Sequence, residues 1–542
     1  MATPSHTAHV DTFARDNLPP REQWPELIFD IPEVRYPARV NCAVELLDKM
    51  VAAGFGGRVA IRSPAGVLTY GELLALVSRI ARVLREDLGL LPGNRVLLRG
   101  PNNPMMAACW FAVVRAGCIA VATMPLLRAK ELKPVIDKAR CDAALCDFNL
   151  REEMELACAQ CPQLGRTLYF NADAPDSLDT LARGKLGDFL AVDTAADDVC
   201  IIAFTSGTTG VPKGTMHFHR DVMAICDCFP RSCLHPRPED IFCGTPPLAF
   251  TFGLGGLLLF PLRFGASAVL LEKLTPTALL SAIEEYRATV CFTAPTFYRQ
   301  MAAVAFDYDI SSLTRAVSAG EALPLATREL WEKETGVRLI DGIGATEMLH
   351  IFISAAGDDI RPGATGKPIP GYRACVLDEH GQPAGPGVVG RLAVKGPTGC
   401  RYLADDRQNN YVQDGWNLTG DAYLMDEDGY FWYQARTDDM IISAGYNIAG
   451  PEVESALLMH PAVAECGVVG ASDEERGQIV KAYVVLKQGS SPGPEMAKTL
   501  QDFVKQTIAP YKYPRAIEFR AALPRTETGK LQRFRLREET KG

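Results

Sequence analysis

From residue 68 to about residue 340, short apolar runs of strand length alternate with longer segments of helical period. That alternation is the strongest limit the chain sets on its own fold. Residues 68–88, LTYGELLALVSRIARVLREDL, place Leu73, Val77, Ile80, Leu84 and Leu88 at helical spacing, with Thr69 three residues before Glu72 as a capping box. NRVLLRG then reads as a strand, PMMAACWFAVVRAG as a buried helix and CIAVATM as the next strand. Such alternation predicts parallel strands with helices on both faces, a doubly wound α/β domain. Residues 360–435 change character, with many glycines and prolines between short runs such as RACVLDE and GRLAVKG, and predict a compact β subdomain. From about 437 mixed patterns return: AGPEVESALLMHPAV and EMAKTLQDFVKQTI as helices, ECGVVGA and KAYVVLKQG as strands. The expected fold is α/β: a large N-terminal domain over 1–436, of doubly wound sheets plus a β subdomain, and a small α+β C-terminal domain over 437–542.

A chain of 542 residues exceeds one ordinary core, which agrees with that division. The net charge of −9 argues against affinity built on neutralising nucleic-acid phosphates. The N-terminal MATPSHTAHVDTFARDNLPP lacks a basic region followed by an apolar core, and LGGLLLFPL is too short for a membrane span and holds a proline, so neither secretion nor a membrane is expected. Sixteen scattered cysteines suit reduced thiols in the cytoplasm. Cys158 and Cys161 form one CxxC without a second Cys/His pair at zinc-site spacing, so no metal is expected there. His217 and His219 alternate as neighbours on opposite faces of a strand would, and a structural role is expected of both.

Behind the strand-like DDVCIIAF comes TSGTTGVPKG, residues 205–214. Its glycines let backbone approach a ligand closely, while the hydroxyls of Thr205, Ser206, Thr208 and Thr209 donate hydrogen bonds that suit phosphate oxygens. Lys213 adds a point charge. The composition fits a polyphosphate, although a flexible surface turn has the same letters. Neither G-x-x-x-x-G-K-[ST] nor a G-x-G-x-x-G placed after a strand is present.

Four further stretches stand out. GIGATE, 342–347, ends on a carboxylate, a hard oxygen ligand suited to Mg²⁺. WNLTGDAY, 416–423, sets Asp421 behind a Thr-Gly turn, where a carboxylate can accept both hydroxyls of a ribose. ARTDDMIISAGYNI, 435–448, carries Arg436 and two aspartates between strand-like runs, and LPRTETGKLQR, 523–533, presents Lys530 after a Thr-Gly turn. Each alone also reads as a turn residue, a helix cap or a solvated charge.

In this order and spacing the stretches resemble the adenylate-forming superfamily of acyl-CoA synthetases, peptide-synthetase adenylation domains and firefly-type luciferases, from LTYGELL to TETGKLQR. The resemblance implies ATP-dependent activation of a carboxylate and a C-terminal domain that swivels. It implies a phosphate loop over 205–214, including Gly207, with Thr346 on the AMP phosphate and Glu347 as the Mg²⁺ ligand. SAGEALP, 318–324, matches the adenine-side segment through Gly320, Glu321 and Ala322, joined by Asp341 and Gly342. Asp421 and Arg436 match the ribose contacts, Asp438 the hinge and Lys530 the catalytic lysine of the first half-reaction. Many members stack an aromatic ring on adenine where this chain has Ile343, so adenine is expected on an aliphatic face.

GIGATEMLHIF and MHFHRD look like benzoate-CoA ligases, and HVDTFARDNLPPREQWPEL with RYPARVNCAVELLD looks most like 2-aminobenzoate-CoA ligases. The resemblance places Phe250, Thr251, Ala319, Gly344 and His350 in the acyl pocket, with Phe250 against an aryl ring. Free coenzyme A is the expected acceptor, since no carrier-protein serine motif follows Lys530; Gly445 falls beside the expected pantetheine channel, or is a plain turn glycine. The alternative is an adenylation enzyme that loads an aryl acid onto a separate carrier protein. The expected partners are thus a small aromatic carboxylic acid, ATP, Mg²⁺ and CoA, in a monomer or homodimer.

Overall fold

At Thr69 the side chain accepts from the Glu72 N–H at 3.2 Å while the Glu72 carboxylate accepts from the Thr69 N–H at 2.8 Å, closing the capping box. The helix Tyr70–Arg82 that follows buries Leu73, Val77 and Ile80 along one face. The structure, a computed structural model, describes residues 7–205, 212–443, 446–473, 476–525 and 531–540. The next helix, Pro104–Arg115, starts on Asn103, whose side chain accepts from the Met106 N–H at 2.9 Å. Its residues from Met106 to Arg115 are buried, because it lies in a core shared by strands of two different sheets.

The alternating region is therefore divided between two sheets. One has the described order Thr167–Phe170, Ala143–Asp147, Arg95–Arg99, Ile119–Thr123, Val199–Thr205, Lys213–Phe218, parallel except for the final antiparallel pair. Arg95–Arg99 and Ala143–Asp147 are buried at every position, as central parallel strands covered on both faces require. The second, larger sheet takes Val59–Ser63 and Gly66–Thr69 at one edge and Arg315–Ala319, Leu339–Gly344 and Ile351–Ser354 towards the other. Arg373–Leu377, Gly390–Lys395, Trp416–Met425 and Phe431–Arg436 form the antiparallel β subdomain.

After the short turn Thr437–Asp439 the chain enters the C-terminal domain. There the long antiparallel pair Val463–Asp473 and Gly477–Leu486 is flanked by Ile441–Ser443 and Ala516–Phe519. The helices Gly450–Leu458 and Pro494–Thr507 bring Val453, Leu457, Leu500 and Val504 onto Val468, Val480 and Val484, a core separate from the large one. No described helix is long and apolar enough to cross a membrane.

One local expectation changes. His217 lies in the strand Lys213–Phe218, but His219 is the first residue of the helix His219–Asp227, so the two do not share a strand. The Phe218 N–H donates to Asp221 Oδ2 at 3.0 Å, a local bond that starts the helix there. Among the described residues Cys158 and Cys161 gather no third ligand; the grouped metal-ligating side chains are instead the buried Cys42, Cys200 and His219.

Thr69→Ala removes the cap acceptor and should cost about 1 kcal/mol, whereas Thr69→Asp keeps an acceptor and should lose little. The check is the thermal midpoint of both variants; equal loss in the two would mean that the side-chain bond is not what holds this helix end.

Candidate functional site

The strand Lys213–Phe218 runs antiparallel to Val199–Thr205 with Thr205 opposite Lys213, so the phosphate-loop sequence joins the two at the end of an edge hairpin. Thr205 Oγ1 is buried and has no partner among the described residues. Ser206, Gly207, Thr208 and Thr209 lie outside the described residues. Lys213 Nζ lies 5.0 Å from the centroid of the Tyr402 ring and 3.9 Å from Glu347 Oε1.

Glu347 sits in the short turn Thr346–Met348, between Leu339–Gly344 and the returning strand Ile351–Ser354. The hairpin is tight. A Cβ on Gly344 would stand 2.8 Å from the His350 carbonyl carbon, and one on Gly342 the same distance from Ile351 Cδ1. Glu347 is buried, and its Oε1 accepts from the Tyr402 hydroxyl at 2.5 Å. The backbone carbonyl of Thr346 lies 2.8 Å from His217 Nε2. The carboxylate is thus held by a neutral hydroxyl and faced by one ammonium, a hard oxygen donor set that fits Mg²⁺.

Asp421 and Arg436 pair across Trp416–Met425 and Phe431–Arg436, with Asp421 Oδ1 and Arg436 Nη1 3.0 Å apart. Arg436 Nη1 also donates to the Thr419 carbonyl at 3.0 Å. Thr437 Oγ1 donates to the Gly420 carbonyl at 2.6 Å, tying the start of the interdomain turn to the same strand. Burial raises the Asp421 carboxyl above its usual range against the pull of Arg436.

Arg315–Ala319 pairs in register with Leu339–Gly344, Ser318 opposite Asp341 and Ala319 opposite Gly342, which brings the 318–324 segment beside GIGATE. Gly320 turns the chain at φ 88°, a region that favours glycine. Glu321 accepts from Thr296 Oγ1 at 2.9 Å and lies 4.0 Å from Arg525 of the C-terminal domain; Ala322 is exposed. Ile343 is half-buried opposite Ile353. Around the other end of the sequence motif, Arg525 and Leu531 pair as an antiparallel bridge. Lys530 and Gly445, and the side chain of Asp438, lie outside the described residues.

The family model described as AMP-binding enzyme matches residues 49–402, and that described as AMP-binding enzyme C-terminal domain matches residues 452–530. The chain belongs to the AMP-binding enzyme family. It is 36% identical to the benzoate–CoA ligase of Thauera aromatica over 93% of this chain and 97% of that one. It is 32% identical to the 4-hydroxybenzoate–CoA/benzoate–CoA ligase of Rhodopseudomonas palustris over 93% and 94%. The crystal structure of the anthranilate CoA ligase AuaEII in complex with anthranoyl-AMP superposes with a TM-score of 0.89 at 33% identity, covering 94% of this chain and 99% of that one. The chain is therefore a member of an acyl- and aryl-CoA ligase family, with a fold of a large N-terminal domain of sheets and a C-terminal domain, and ATP and CoA use agree with its relatives.

In this AMP-binding enzyme four phenylalanines collect around His350, one of the residues the sequence singled out. Its ring lies 5.7 Å from Phe229, 5.6 Å from Phe252, 4.5 Å from Phe260 and 6.4 Å from Phe292, and Nε2 is 3.4 Å from the Phe252 carbonyl. Burial drives its pKa down to about 3, so the imidazole is neutral, and Nδ1 is buried with no partner among the described residues. Phe250 and Thr251 sit half-buried at the start of the short helix Thr251–Leu254, but it is Phe252 that meets His350. Ala319 is buried, and Gly344 is exposed against the His350 backbone.

Sequence reasoning missed His217, Phe252, Tyr402, Tyr411 and Tyr423. The Tyr411 hydroxyl is buried without a partner among the described residues; burial, then the charges of Glu347 and Asp421, raise its pKa. Burial, then Asp421 and also Asp341, raise that of Tyr423, which lies between the two aspartates' fields. His217 and Tyr423 fall within MHFHRD and WNLTGDAY and Tyr402 within CRYLAD, but a ring at those places carries no chemistry by itself.

Burial pushes the Asp341 carboxyl up to about 7, with Arg328 pulling the other way. The unfolded chain loses this proton near the ordinary carboxylate value, about 4, while the folded chain keeps it, so stability contributed here falls as pH rises between the two. Asp341→Asn should lose that slope: from about pH 5 to about pH 8 its thermal midpoint should fall less than the parent's. Parallel curves would remove Asp341 as the source.

Proposed function

We propose that this enzyme joins a small aromatic carboxylic acid to CoA through an aryl adenylate, with 2-aminobenzoate or benzoate as the preferred acid. The neutral His350 ringed by Phe229, Phe252, Phe260 and Phe292, one hairpin turn from Thr346–Glu347, carries the reading. Uncharged, aromatic surroundings suit a flat ring better than a charged or long flexible acid. The unpartnered Nδ1 would accept a hydrogen bond from an ortho-amino group. The benzoate and anthranilate ligases among its relatives support the same class.

In the first half-reaction a carboxylate oxygen forms a bond to the α-phosphorus as the α–β anhydride bond breaks and pyrophosphate leaves. Catalysis here is positioning plus cancellation of charge. Lys213 and the loop hydroxyls would hold the departing phosphates, and Lys530 would place an ammonium by the α-phosphate. Bound on Glu347, Mg²⁺ supplies Lewis-acid charge neutralisation. Asp421 would accept the ribose hydroxyls, supported by Arg436. Gly320, Glu321, Ala322, Asp341 and Gly342 would line the adenine. In the second half-reaction the CoA sulfur, having given up its proton, attacks the carbonyl carbon and AMP leaves; Gly445 would leave room for the pantetheine arm. The rotation between the steps would occur at Asp438. The acid, metal, localisation in the cytoplasm and a monomeric or homodimeric state all belong to this proposal.

A panel of aryl and alkyl acids with ATP and CoA, scored for thioester and AMP, tests the substrate reading. Benzoate or 2-aminobenzoate should give the highest kcat/KM; a fatty acid or acetate in first place, or thioester only with a carrier protein, would overturn it.

Separate assays of pyrophosphate release and of thioester formation from supplied aryl-AMP test the two-state reading. Lys530→Ala should lower the first about 100-fold or more and largely spare the second. Gly445→Leu should do the reverse. Equal loss of both steps in both variants would leave one fixed site doing all the chemistry.

A further inference from the structure

A buried ion pair lies behind the Thr346–Glu347 turn. Arg401 Nη2 donates to Asp221 Oδ2, and both side chains are wholly buried. The Phe218 N–H donates to the same carboxylate oxygen at 3.0 Å, and the guanidinium lies 4.0 Å from the Phe218 ring centroid. Arg401 Nε also reaches the Met216 carbonyl at 3.4 Å. These bonds lay the 401–403 segment along the strand Lys213–Phe218: Met216 N–H donates to the Arg401 carbonyl at 2.8 Å and Leu403 N–H to the Gly214 carbonyl at 2.8 Å.

Two side chains are aimed by this arrangement. Tyr402, next to Arg401, bonds Glu347 Oε1 through its hydroxyl at 2.5 Å, and its backbone N–H is fixed on Gln408 Oε1 at 2.9 Å. His217, next to Met216 on the strand, meets the Thr346 carbonyl at 2.8 Å; since that oxygen only accepts, Nε2 carries the proton. Nδ1 stands 3.8 Å from Asp221 Oδ2, beyond a hydrogen bond. A wholly buried ion pair gains little net stability over an apolar replacement, so its value here lies in direction.

We propose that Tyr402 and His217, aimed by the Arg401–Asp221 pair, are positioning residues for the Thr346–Glu347 turn: Tyr402 fixes the Glu347 carboxylate and His217 fixes the backbone that carries it. The proposal rests on the reading of Glu347 as the Mg²⁺ ligand. A hydroxyl bonded to one carboxylate oxygen limits rotation of the group and leaves the other oxygen's orientation defined, as outer-shell partners of metal ligands do. The donor on Thr346 fixes the height of the turn relative to the phosphate hairpin, because His217 and Lys213 belong to one strand. The effect falls on the first half-reaction, where a cation held by Glu347 would offset phosphate charge.

The test uses the full chain with Tyr402→Phe, which removes only the hydroxyl, and His217→Leu against His217→Gln, whose amide keeps a donor. Arg401 and Asp221 variants do not serve, because a lone buried charge strongly destabilises the fold. Binding of ATP is measured by calorimetry with and without Mg²⁺ and with no acid present, alongside the Mg²⁺ dependence of pyrophosphate release, thioester formation from supplied aryl-AMP, and the thermal midpoint. Tyr402→Phe and His217→Leu should each raise half-saturating Mg²⁺ about tenfold and weaken ATP binding only when Mg²⁺ is present. His217→Gln should recover most of the loss, and the second half-reaction should change within about threefold, well short of the tenfold or larger effects that removing an outer-shell partner has on metal affinity or activity. Unchanged Mg²⁺ dependence in both variants, or equal loss of the two half-reactions, would overturn the proposal. Glu347→Gln is the reference: if it too leaves Mg²⁺-dependent ATP binding untouched, the reading of Glu347 fails first and the positioning role goes with it. The acid-free binding measurement keeps these outcomes separate from any error in the substrate.

Discussion

The strand Lys213–Phe218 runs against the direction of its sheet and occupies its edge, where a row of backbone groups would otherwise stay open. The chain covers that edge with the 401–403 segment, and the bond pattern includes an antiparallel bridge between Thr215 and Tyr402. Much else follows from this covered edge. It holds one side of the Val199–Phe218 hairpin, carries Lys213 and His217 towards the Thr346–Glu347 turn, and imports Tyr402 from a point 187 residues along the chain from Thr215. Three parts of the molecule, the first sheet, the second sheet and a connection within the β subdomain, meet at one carboxylate.

That carboxylate has acidic company. Asp421 feels the charge of Glu347, and Tyr423 lies within the fields of both Asp421 and Asp341. In a buried setting such grouping disfavours ionisation, and the carboxyls of Asp341 and Asp421 are both raised, by burial first. Arg436 and Lys213 relieve part of the charge. Hydrogen-bond donors brought by a ligand, such as ribose hydroxyls, favour the ionised carboxylates, and cations relieve their repulsion. Acidic groups that are costly in an unliganded fold are what a site for a sugar and a cation would present.

Local signals were legible in the sequence. The Thr69–Glu72 cap, the apolar run of Pro104–Arg115 and the uninterrupted burial of Arg95–Arg99 each follow from the order of neighbouring residues. The motifs could be read because glycine, hydroxyl and carboxylate residues close in sequence stay close in space. The division of the α/β region into two sheets was not legible, since strand order is set by long-range packing that leaves no period in the sequence. Nor were Tyr402, His217 and Arg401: each acts on a partner more than 50 residues away and carries no local pattern. His219 misled for the opposite reason, because a side-chain bond from Asp221 overrode the alternation that suggested a longer strand.

The same distinction separates the two domain cores from the contacts between them. The C-terminal core closes on its own aliphatic side chains, Val453, Leu457, Val480 and Leu500 among them. Arg525 reaches Glu465 at 2.8 Å within its own domain but Glu321 of the N-terminal domain only at 4.0 Å. Ion pairs of that length at a partly open surface add little and break at little cost, whereas separating an apolar core would cost far more. Thr437, by contrast, is bonded to Gly420 at 2.6 Å, so the chain is anchored at the first residue of the turn. A firm anchor beside a weak ion pair would suit the rotation proposed above, which would change what faces the site without disturbing Asp421 or the turn that carries Glu347.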